Sequence, residues 1–190
     1  MGPLTFIKLC GLPAAALAWP LAEAHQVVLH PAPQWITDNR DTQHNPLAFL
    51  ESQGFKTQED FKSWRIQNGY KTLRDFMEHA KYTVTEGADF SCGWTNPKGT
   101  PQPIPAGGIM RSTGYTHEGP CEMWVADTQV YQADNCHVSL PGKEYPIDYS
   151  PCKGNCVLYW YWLGVRFLKN SYSWQVYKEC VPLTTNSTTK

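Results

Sequence analysis

Six cysteines after residue 90 constrain the fold of this chain more than any other feature. They are Cys92, Cys121, Cys136, Cys152, Cys156 and Cys180, and the only other cysteine is Cys10. In an exported chain an even number of cysteines is typical of a disulfide framework, although six cysteines allow many different pairings. A cysteine zinc site is disfavoured, because the paired CxxC spacing of such sites is missing. The sequence therefore predicts three disulfides among these six residues.

The first 24 residues have the pattern of a secretory signal peptide. Lys8 supplies a positive charge, residues 9–21 are mostly apolar, and residues 22–24 (Ala-Glu-Ala) form a small-x-small cleavage site. The apolar run is too short, and too often interrupted by proline, to span a bilayer. We therefore expect a secreted, extracellular protein that loses residues 1–24, including its first cysteine, and begins with His25.

The charge balance of the expected mature chain excludes one large class of partner. Removing 24 of the 190 residues leaves 166, and the net charge stays at −1 because the signal takes away one basic and one acidic residue. Nucleic-acid binding needs a basic footprint, and this charge also gives no reason to favour a membrane surface. We expect one domain over residues 25–183 and a loose polar tail over residues 184–190, in which Asn186 begins a glycosylation sequon.

Most of the mature sequence predicts β-structure. Strands rich in Val, Leu, Tyr and Trp are expected over residues 25–30, 82–84, 121–131, 138–140, 156–168 and 173–182. Residues 157–162 carry aromatic side chains on both faces, so that one set faces a core and the other supports a neighbouring surface. A stretch rich in Pro and Gly at residues 93–108 predicts a long loop. The expected fold class is a mainly β, immunoglobulin- or fibronectin-like antiparallel sandwich with long loops.

A short helical insert interrupts this pattern between residues 45 and 81. Its apolar side chains recur at mixed three- and four-residue spacing. Thr57 followed by Asp60, and Thr72 followed by Asp75, are capping signals that predict two brief helices. The insert is too short to bury a core of its own, so we expect it to belong to the same domain.

A histidine at the start of a mature chain offers two nitrogen ligands to one metal ion. The free amine of His25 would have an ordinary pKa near 7.7–8.0, so a metal can displace its proton near neutral pH. Nδ1 of the same residue lies close enough to bind the same ion. An N-terminal histidine also occurs by chance, so this feature alone does not predict a metal site.

Two further segments place polar side chains at positions suited to such a site. His117 stands just before a Gly-Pro turn, at the junction of a loop and a strand. In the last predicted strand Gln175 and Tyr177 share one face, so both point at whatever lies beside that sheet. Taken singly, His117 is more simply a surface loop histidine, and Tyr177 is more simply a core or cross-strand aromatic.

The three motifs together resemble those of lytic polysaccharide monooxygenases. An N-terminal histidine, a Ser/Thr-His-x-Gly-Pro segment and a Gln-x-Tyr-x-x-Cys segment occur there in this order, as they do here at His25, residues 116–120 and residues 175–180. The motifs themselves are similar to the fungal cellulose-active branch. The aromatic-rich remainder, the helical insert and the mature length are more similar to the oomycete pectin-active branch, auxiliary activity family 17.

This resemblance implies a copper "histidine brace" and gives each residue a role. His25 would supply its amine and Nδ1, His117 its other ring nitrogen and Tyr177 the axial position, while Gln175 would hydrogen-bond the bound oxygen species. Two imidazoles and an amine form a three-nitrogen site that suits copper. The implied activity is oxidative cleavage of pectin, at its homogalacturonan backbone. The enzyme would be a monomer with one copper ion, and it would need an external reductant and O2 or H2O2.

The resemblance also implies a disulfide pairing and a substrate surface. Cys180 would pair with Cys92, Cys121 with Cys136, and Cys152 with Cys156. Exposed loop residues around the metal would contact the polysaccharide. The candidates for these contacts are Trp35, Arg40, Arg111 and Tyr115.

Other functions remain open at this point. The same chemistry on cellulose or another β-glycan also fits the motifs. A non-catalytic histidine-brace protein would bind or deliver copper, although Gln175 and Tyr177 count against it because delivery needs no tuned oxygen pocket. A carbohydrate-binding sandwich or secreted effector without metal would fit a chain that is not cleaved before His25.

Two hydrolase classes are disfavoured, and four histidines have no assigned role. No pair of acidic residues can be assigned to the work of a glycoside hydrolase, which needs two carboxylates at a set separation. The Gly-x-Ser-x-Gly elbow of esterases does not occur.

We expect His30, His44, His79 and His137 to be ordinary surface or structural residues.

Overall fold

A computed structural model of the chain describes residues 25–51, 55–168 and 170–186. The predicted signal peptide and residues 187–190 of the predicted tail lie outside the described residues. Asn186, the first residue of the predicted sequon, is exposed.

The described residues form two β-sheets and four short α-helices. The strands are β1 (Val28–His30), β2 (Ala48–Phe49), β3 (Gln102–Pro103), β4 (Ile109–Ser112), β5 (Cys121–Val125), β6 (Thr128–Ala133), β7 (Glu144–Pro146), β8 (Asn155–Leu168) and β9 (Ser171–Thr184). The helices are α1 (Arg40–Gln43), α2 (Gln58–Gln67), α3 (Leu73–His79) and α4 (Cys136–Ser139). One sheet has the order β1-β4-β7, and the six-stranded sheet has the order β2-β9-β8-β5-β6 with β3 beside β9. These pairings are antiparallel except for the short one between β3 and β9.

Side chains from the facing sides of the two sheets form the main core. Val28, Met110 and Tyr145 of the three-stranded sheet belong to one buried cluster with Trp160 and Val181 of the six-stranded sheet. Burial of each such large apolar side chain contributes about 1.5–3 kcal/mol. The prediction of a mainly β, antiparallel sandwich is confirmed.

The helical insert covers the other face of the six-stranded sheet. Phe61 and Phe76 of the insert are buried in one cluster with Tyr161 and Trp174 of the sheet. Because successive residues of a strand point to opposite faces, β8 directs Trp160 to the main core and Tyr161 to the insert. The expected division of the aromatic residues between two surfaces is confirmed.

Two helices of the insert begin where the capping signals placed them. The side chains of Thr57 and Thr72 accept hydrogen bonds from the backbone N–H groups of Asp60 and Asp75. The start of the predicted helical region is different. Ala48 and Phe49 of β2 pair with β9 instead, so this part of the insert is an edge strand.

Two buried charged side chains attach α3 to the sheet. The Glu122 carboxylate accepts hydrogen bonds from the backbone N–H groups of Leu73 (2.7 Å) and Arg74 (3.0 Å) at the amino end of the helix. Near the other end, Lys178 Nζ donates to the carbonyl oxygen of Met77. Burial lowers the pKa of Lys178 to about 8. The insert and the sheet are therefore joined by polar contacts as well as by packing.

Several predicted strands are wrong in part. Residues 82–84 form no strand, because the Tyr82 hydroxyl donates to the carbonyl of Met77 and holds this segment against α3. Residues 138–140 lie in and just after α4, which the neighbouring disulfide holds against β5. The stretch 121–131 is two strands, since Ala126 takes a positive φ at the turn between β5 and β6.

Three disulfides are present, as the cysteine count predicted. They join Cys92 to Cys180, Cys121 to Cys136, and Cys152 to Cys156, the pairs that the resemblance implied. The first joins the residue just before the predicted long loop, which contains β3, to strand β9. None of the described helices is long and apolar enough to cross a membrane.

Candidate metal centre

Three segments that are distant in the sequence meet at one end of the main core. The ring centroid of His25 lies 5.8 Å from that of His117 and 5.6 Å from that of Tyr177. The Tyr177 hydroxyl donates a hydrogen bond of 2.8 Å to Oε1 of Gln175. The structure therefore brings together the four side chains that the sequence motifs assigned to one site.

A tryptophan supports this group from the sheet. Trp162 lies directly opposite Tyr177 in the pairing of β8 with β9. Its ring stacks on Tyr177 with centroids 4.7 Å apart and on His117 with centroids 5.9 Å apart, both within 20° of parallel. Because Trp162 is fully buried, it fixes the positions of both rings.

Gly119 explains how the loop of His117 comes so close to β8. It has a φ of +137°, and a Cβ atom built on it would lie 1.9 Å from the carbonyl oxygen of Leu163. On either side of this contact, Val165 N–H donates to Glu118 O (2.7 Å) and Leu163 N–H donates to Pro120 O (3.0 Å). Only glycine fits between these bonds, so the Gly-Pro pair of the motif sets the position of His117.

The phenol of Tyr177 is held in its neutral form. The residue is buried, and this burial raises its pKa well above the ordinary value of tyrosine, against an opposing contribution from Arg166. Its hydrogen bond to Gln175 uses the phenol proton. Tyr177 can therefore face a bound metal as a neutral oxygen donor, with Gln175 beside it.

His25 is also held neutral. Burial lowers its pKa to about 4, and the electrostatic effects of His117, Arg166 and His44 add to this change, while a hydrogen bond with the His44 backbone opposes it. Its Nε2 atom is buried and makes no hydrogen bond among the described residues. A neutral imidazole is the form that binds metals.

The donor set fits one copper ion if the chain is cleaved before His25. Within the described ranges no three His, Cys, Asp or Glu side chains gather into a metal-binding group. Two imidazoles alone leave a metal under-coordinated by protein, and the amine of His25 would be the third nitrogen. The observation that favours a shared ion is that the two imidazole rings lie with centroids 5.8 Å apart beside Tyr177. Three nitrogen donors suit copper among the first-row metals.

Comparison with known proteins adds no assignment. No protein-family model matches the chain, and no curated protein matches it either.

The four predicted substrate contacts lie in different surroundings. Trp35 and Arg40 line a shallow cleft with His44 beside the amino-terminal strand. Arg111 is exposed on β4 of the three-stranded sheet. The prediction for Tyr115 is wrong, because this residue is buried and its hydroxyl accepts a hydrogen bond from Nε1 of Trp160.

Sequence reasoning missed two residues close to the centre. Both His44, expected to be an ordinary loop residue, and Arg166, which had no assigned role, affect the pKa of His25. Arg166 lowers it by its charge, and the backbone of His44 forms a hydrogen bond with His25. Arg166 lies on the same face of β8 as Trp162, four residues further along, so strict strand alternation would have found it. His44 gave no such signal, since its position depends on how the loop before β2 folds.

A buried carboxyl group lies next to the site. Glu179 follows Tyr177 by two residues on β9, and its Oε2 atom accepts a hydrogen bond of 3.0 Å from the backbone N–H of Val28. Burial raises its pKa well above the ordinary value of glutamate, although this hydrogen bond opposes the rise. The folded protein thus holds a proton on Glu179 more tightly than the unfolded chain does. The contribution of this bound proton to the free energy of unfolding should be complete at pH values below the ordinary glutamate pKa. It should be lost as the pH rises through the raised value.

Replacing Glu179 with glutamine is expected to increase the free energy of unfolding at pH 8 by about 1–3 kcal/mol, since glutamine needs neither proton uptake on folding nor a buried charge. Gln keeps an acceptor for Val28. The gain should shrink toward pH 4, where Glu179 is protonated in the folded state. Guanidinium unfolding at both pH values measures this difference, and the exposed Glu86→Gln variant is the control, expected to stay within about 0.5 kcal/mol. An equal gain at both pH values would contradict the account.

Proposed function

We propose that this chain is a secreted, copper-dependent lytic polysaccharide monooxygenase that cleaves pectin. The observation that carries the proposal is the meeting of His25, His117 and Tyr177, with Gln175 bonded to the tyrosine, at one end of a β-sandwich. Each residue comes from a motif that resembles this superfamily. The three disulfides fit an oxidising, extracellular compartment.

The residues of the chain would prepare the site in three ways. His25 and His117 would hold copper as neutral imidazoles, together with the amine that cleavage exposes. Once reduced by an external donor, the bound copper would supply, with O2 or H2O2, the oxidant that takes hydrogen from a sugar C–H bond. Tyr177 and Trp162 close the side that faces the core, so a polymer has to approach from the other side. The Gln175 amide lies beside the tyrosine, where it can donate a hydrogen bond to a small ligand.

The charge around the site supports an acidic polysaccharide such as homogalacturonan. Arg166 contributes positive charge at His25, and Arg40 lines the adjoining cleft. The chain as a whole has a net charge of −1, so this is a local feature. Positive charge at a binding face raises the local concentration of a polyanion. Cellulose or another β-glycan offers no charge that would use these residues.

Product mass spectrometry tests the proposal. Mature protein beginning at His25 is loaded with copper and incubated with ascorbate and either homogalacturonan or cellulose. Oxidised oligogalacturonides that disappear in the His117→Ala variant are the expected result. Oxidised cello-oligosaccharides would change the substrate but keep the chemistry. Tight copper binding without oxidised products would indicate a copper-handling protein, and the lack of copper binding would overturn the proposal.

A further inference from the structure

The sheet face that carries Tyr177 continues beyond the main core. On β8 and β9, Trp162 and Tyr177 are the last members of the core cluster in the direction of the hairpin turn. The next residues on the same face are Gly164 and Gln175, which lie directly opposite each other. Beyond them follow Arg166 and Ser173, again as a directly opposed pair.

The edge strand β2 extends this face by one column. Phe49 is the partner of Gln175 on the side away from β8. Directly opposed residues in an antiparallel pair point to the same face, so Phe49 lies on the face of Gln175 and Gly164. Phe49 is 52% exposed, whereas its neighbours Ala48 and Leu50 are buried on the opposite, helix-covered face. An exposed aromatic ring therefore stands beside the candidate metal centre.

The position of the edge strand β2 is fixed by a backbone hydrogen bond and by a side-chain hydrogen bond just beyond it. Leu50 N–H donates to Trp174 O (2.8 Å), which continues the pairing of the edge with β9. One residue on, Ser173 donates a hydrogen bond of 2.8 Å to the Glu51 carboxylate. Gly164, between Gln175 and β5, adds no side chain to the surface. The face thus has Phe49 on one side of Gln175 and Arg166 diagonally across from it, and the residues between them, Gln175 and Gly164, are buried.

Charge identifies the kind of ligand that would lie there. Arg166 lies on the sheet face of Gln175 and Tyr177, directly opposite Ser173, and its charge acts to lower the pKa values of both His25 and Tyr177. A guanidinium binds carboxylates strongly and can do so through two parallel hydrogen bonds. An exposed aromatic ring stacks on the apolar face of a sugar ring. Together these groups match a sugar that carries a carboxylate.

We propose that Phe49 and Arg166 form the substrate-contact surface of this protein, in which Phe49 stacks on a sugar ring and Arg166 binds the carboxylate of a uronic acid unit in the same chain. This inference rests on the proposed function, because it places the polymer over Gln175. It adds two residues that bind substrate without contacting the metal.

Copper-free protein provides the test, since binding can then be measured apart from oxidation. The probes are a galacturonic acid oligomer and its neutral, methyl-esterified counterpart, titrated calorimetrically at low and high salt. Arg166→Gln is expected to weaken binding of the acidic oligomer about tenfold and to reduce its salt dependence, with little effect on the neutral one. Arg166→Lys should recover part of the loss. Phe49→Ala should weaken binding of both oligomers, and Phe49→Trp should retain it.

Matched controls separate this surface from general charge and hydrophobicity. Lys153 is exposed two residues before the first residue of β8, at the opposite end of the strand from Arg166, so Lys153→Gln should leave binding unchanged. Ile66 is 60% exposed on α2, and Ile66→Ala is the control for Phe49. The inference is overturned if the unmodified protein binds neither oligomer, if Lys153→Gln weakens binding as much as Arg166→Gln, or if Phe49→Ala has no effect. If Arg166→Gln and Phe49→Ala weaken oligomer binding as expected but the copper-loaded protein forms no oxidised product, the contact surface is supported and the proposed monooxygenase activity is overturned.

Discussion

Copper affinity of the mature protein is expected to fall at least about 100-fold when a single alanine precedes His25. The extension turns the amine into an amide, which keeps its proton near neutral pH and is not a comparable ligand. Both imidazoles remain, so the change removes one of three nitrogen donors. Loss of a group that only supports a metal ligand already costs about 10–100-fold, and loss of a ligand should cost more.

Competition with a chelator of known affinity measures this effect. The extended and native proteins should have the same unfolding transition without copper, because His25 precedes the first residue of β1. An alanine added after Lys190 is the matched control and should leave copper affinity unchanged. Equal affinities of the native and amino-terminally extended proteins would show that the amine is not a ligand.

Removing the Cys92–Cys180 disulfide by replacing both residues with serine is expected to lower the free energy of unfolding by about 4–5 kcal/mol. The bond closes a loop with a sequence separation of 88 residues, and the stabilisation by a disulfide grows with loop length in the chain-entropy model. The Cys152–Cys156 bond has a separation of only 4 residues. Replacing that pair with serine should cost about 2 kcal/mol by the same model.

Guanidinium unfolding of the two double variants measures the difference directly. The larger loss should also weaken the candidate metal centre, since Cys180 follows Tyr177 by three residues on β9. If both variants lose the same stability, loop length does not govern the effect, and packing around the sulfur atoms would be the better explanation.

The sequence predicted the sandwich because its strongest signals are local. Alternating aromatic residues over 157–162 require a strand with two covered faces, and the sheet has a core on one face and the helical insert on the other. The threonine caps at Thr57 and Thr72 likewise depend only on the next few residues. Such patterns do not depend on the rest of the fold.

Features that depend on distant contacts were missed or wrong. The strand of Ala48 and Phe49 has only two residues and exists because the long strand β9 offers it an open edge. The sequence around Tyr115 is typical of an exposed loop, but the Tyr115 hydroxyl accepts a hydrogen bond from Trp160 in the core. The four candidate site residues were predicted through motif resemblance. Their meeting could not be worked out from spacing, since it requires the complete pairing of β8 with β9.

The hydrogen bond that the backbone N–H of Val28 donates to the Glu179 carboxyl group joins residues that are 151 positions apart in the sequence. His25 lies three residues before Val28, and Tyr177 lies two residues before Glu179, so the candidate centre closes a loop of almost the same length. Contacts of this range form late, because almost the whole chain has to be in place before they offset the entropy of closure. A partly synthesised or partly folded chain would lack the centre altogether. Metal capture would then mark the molecules that have finished folding, and the order of assembly would keep a reactive ion away from the immature protein.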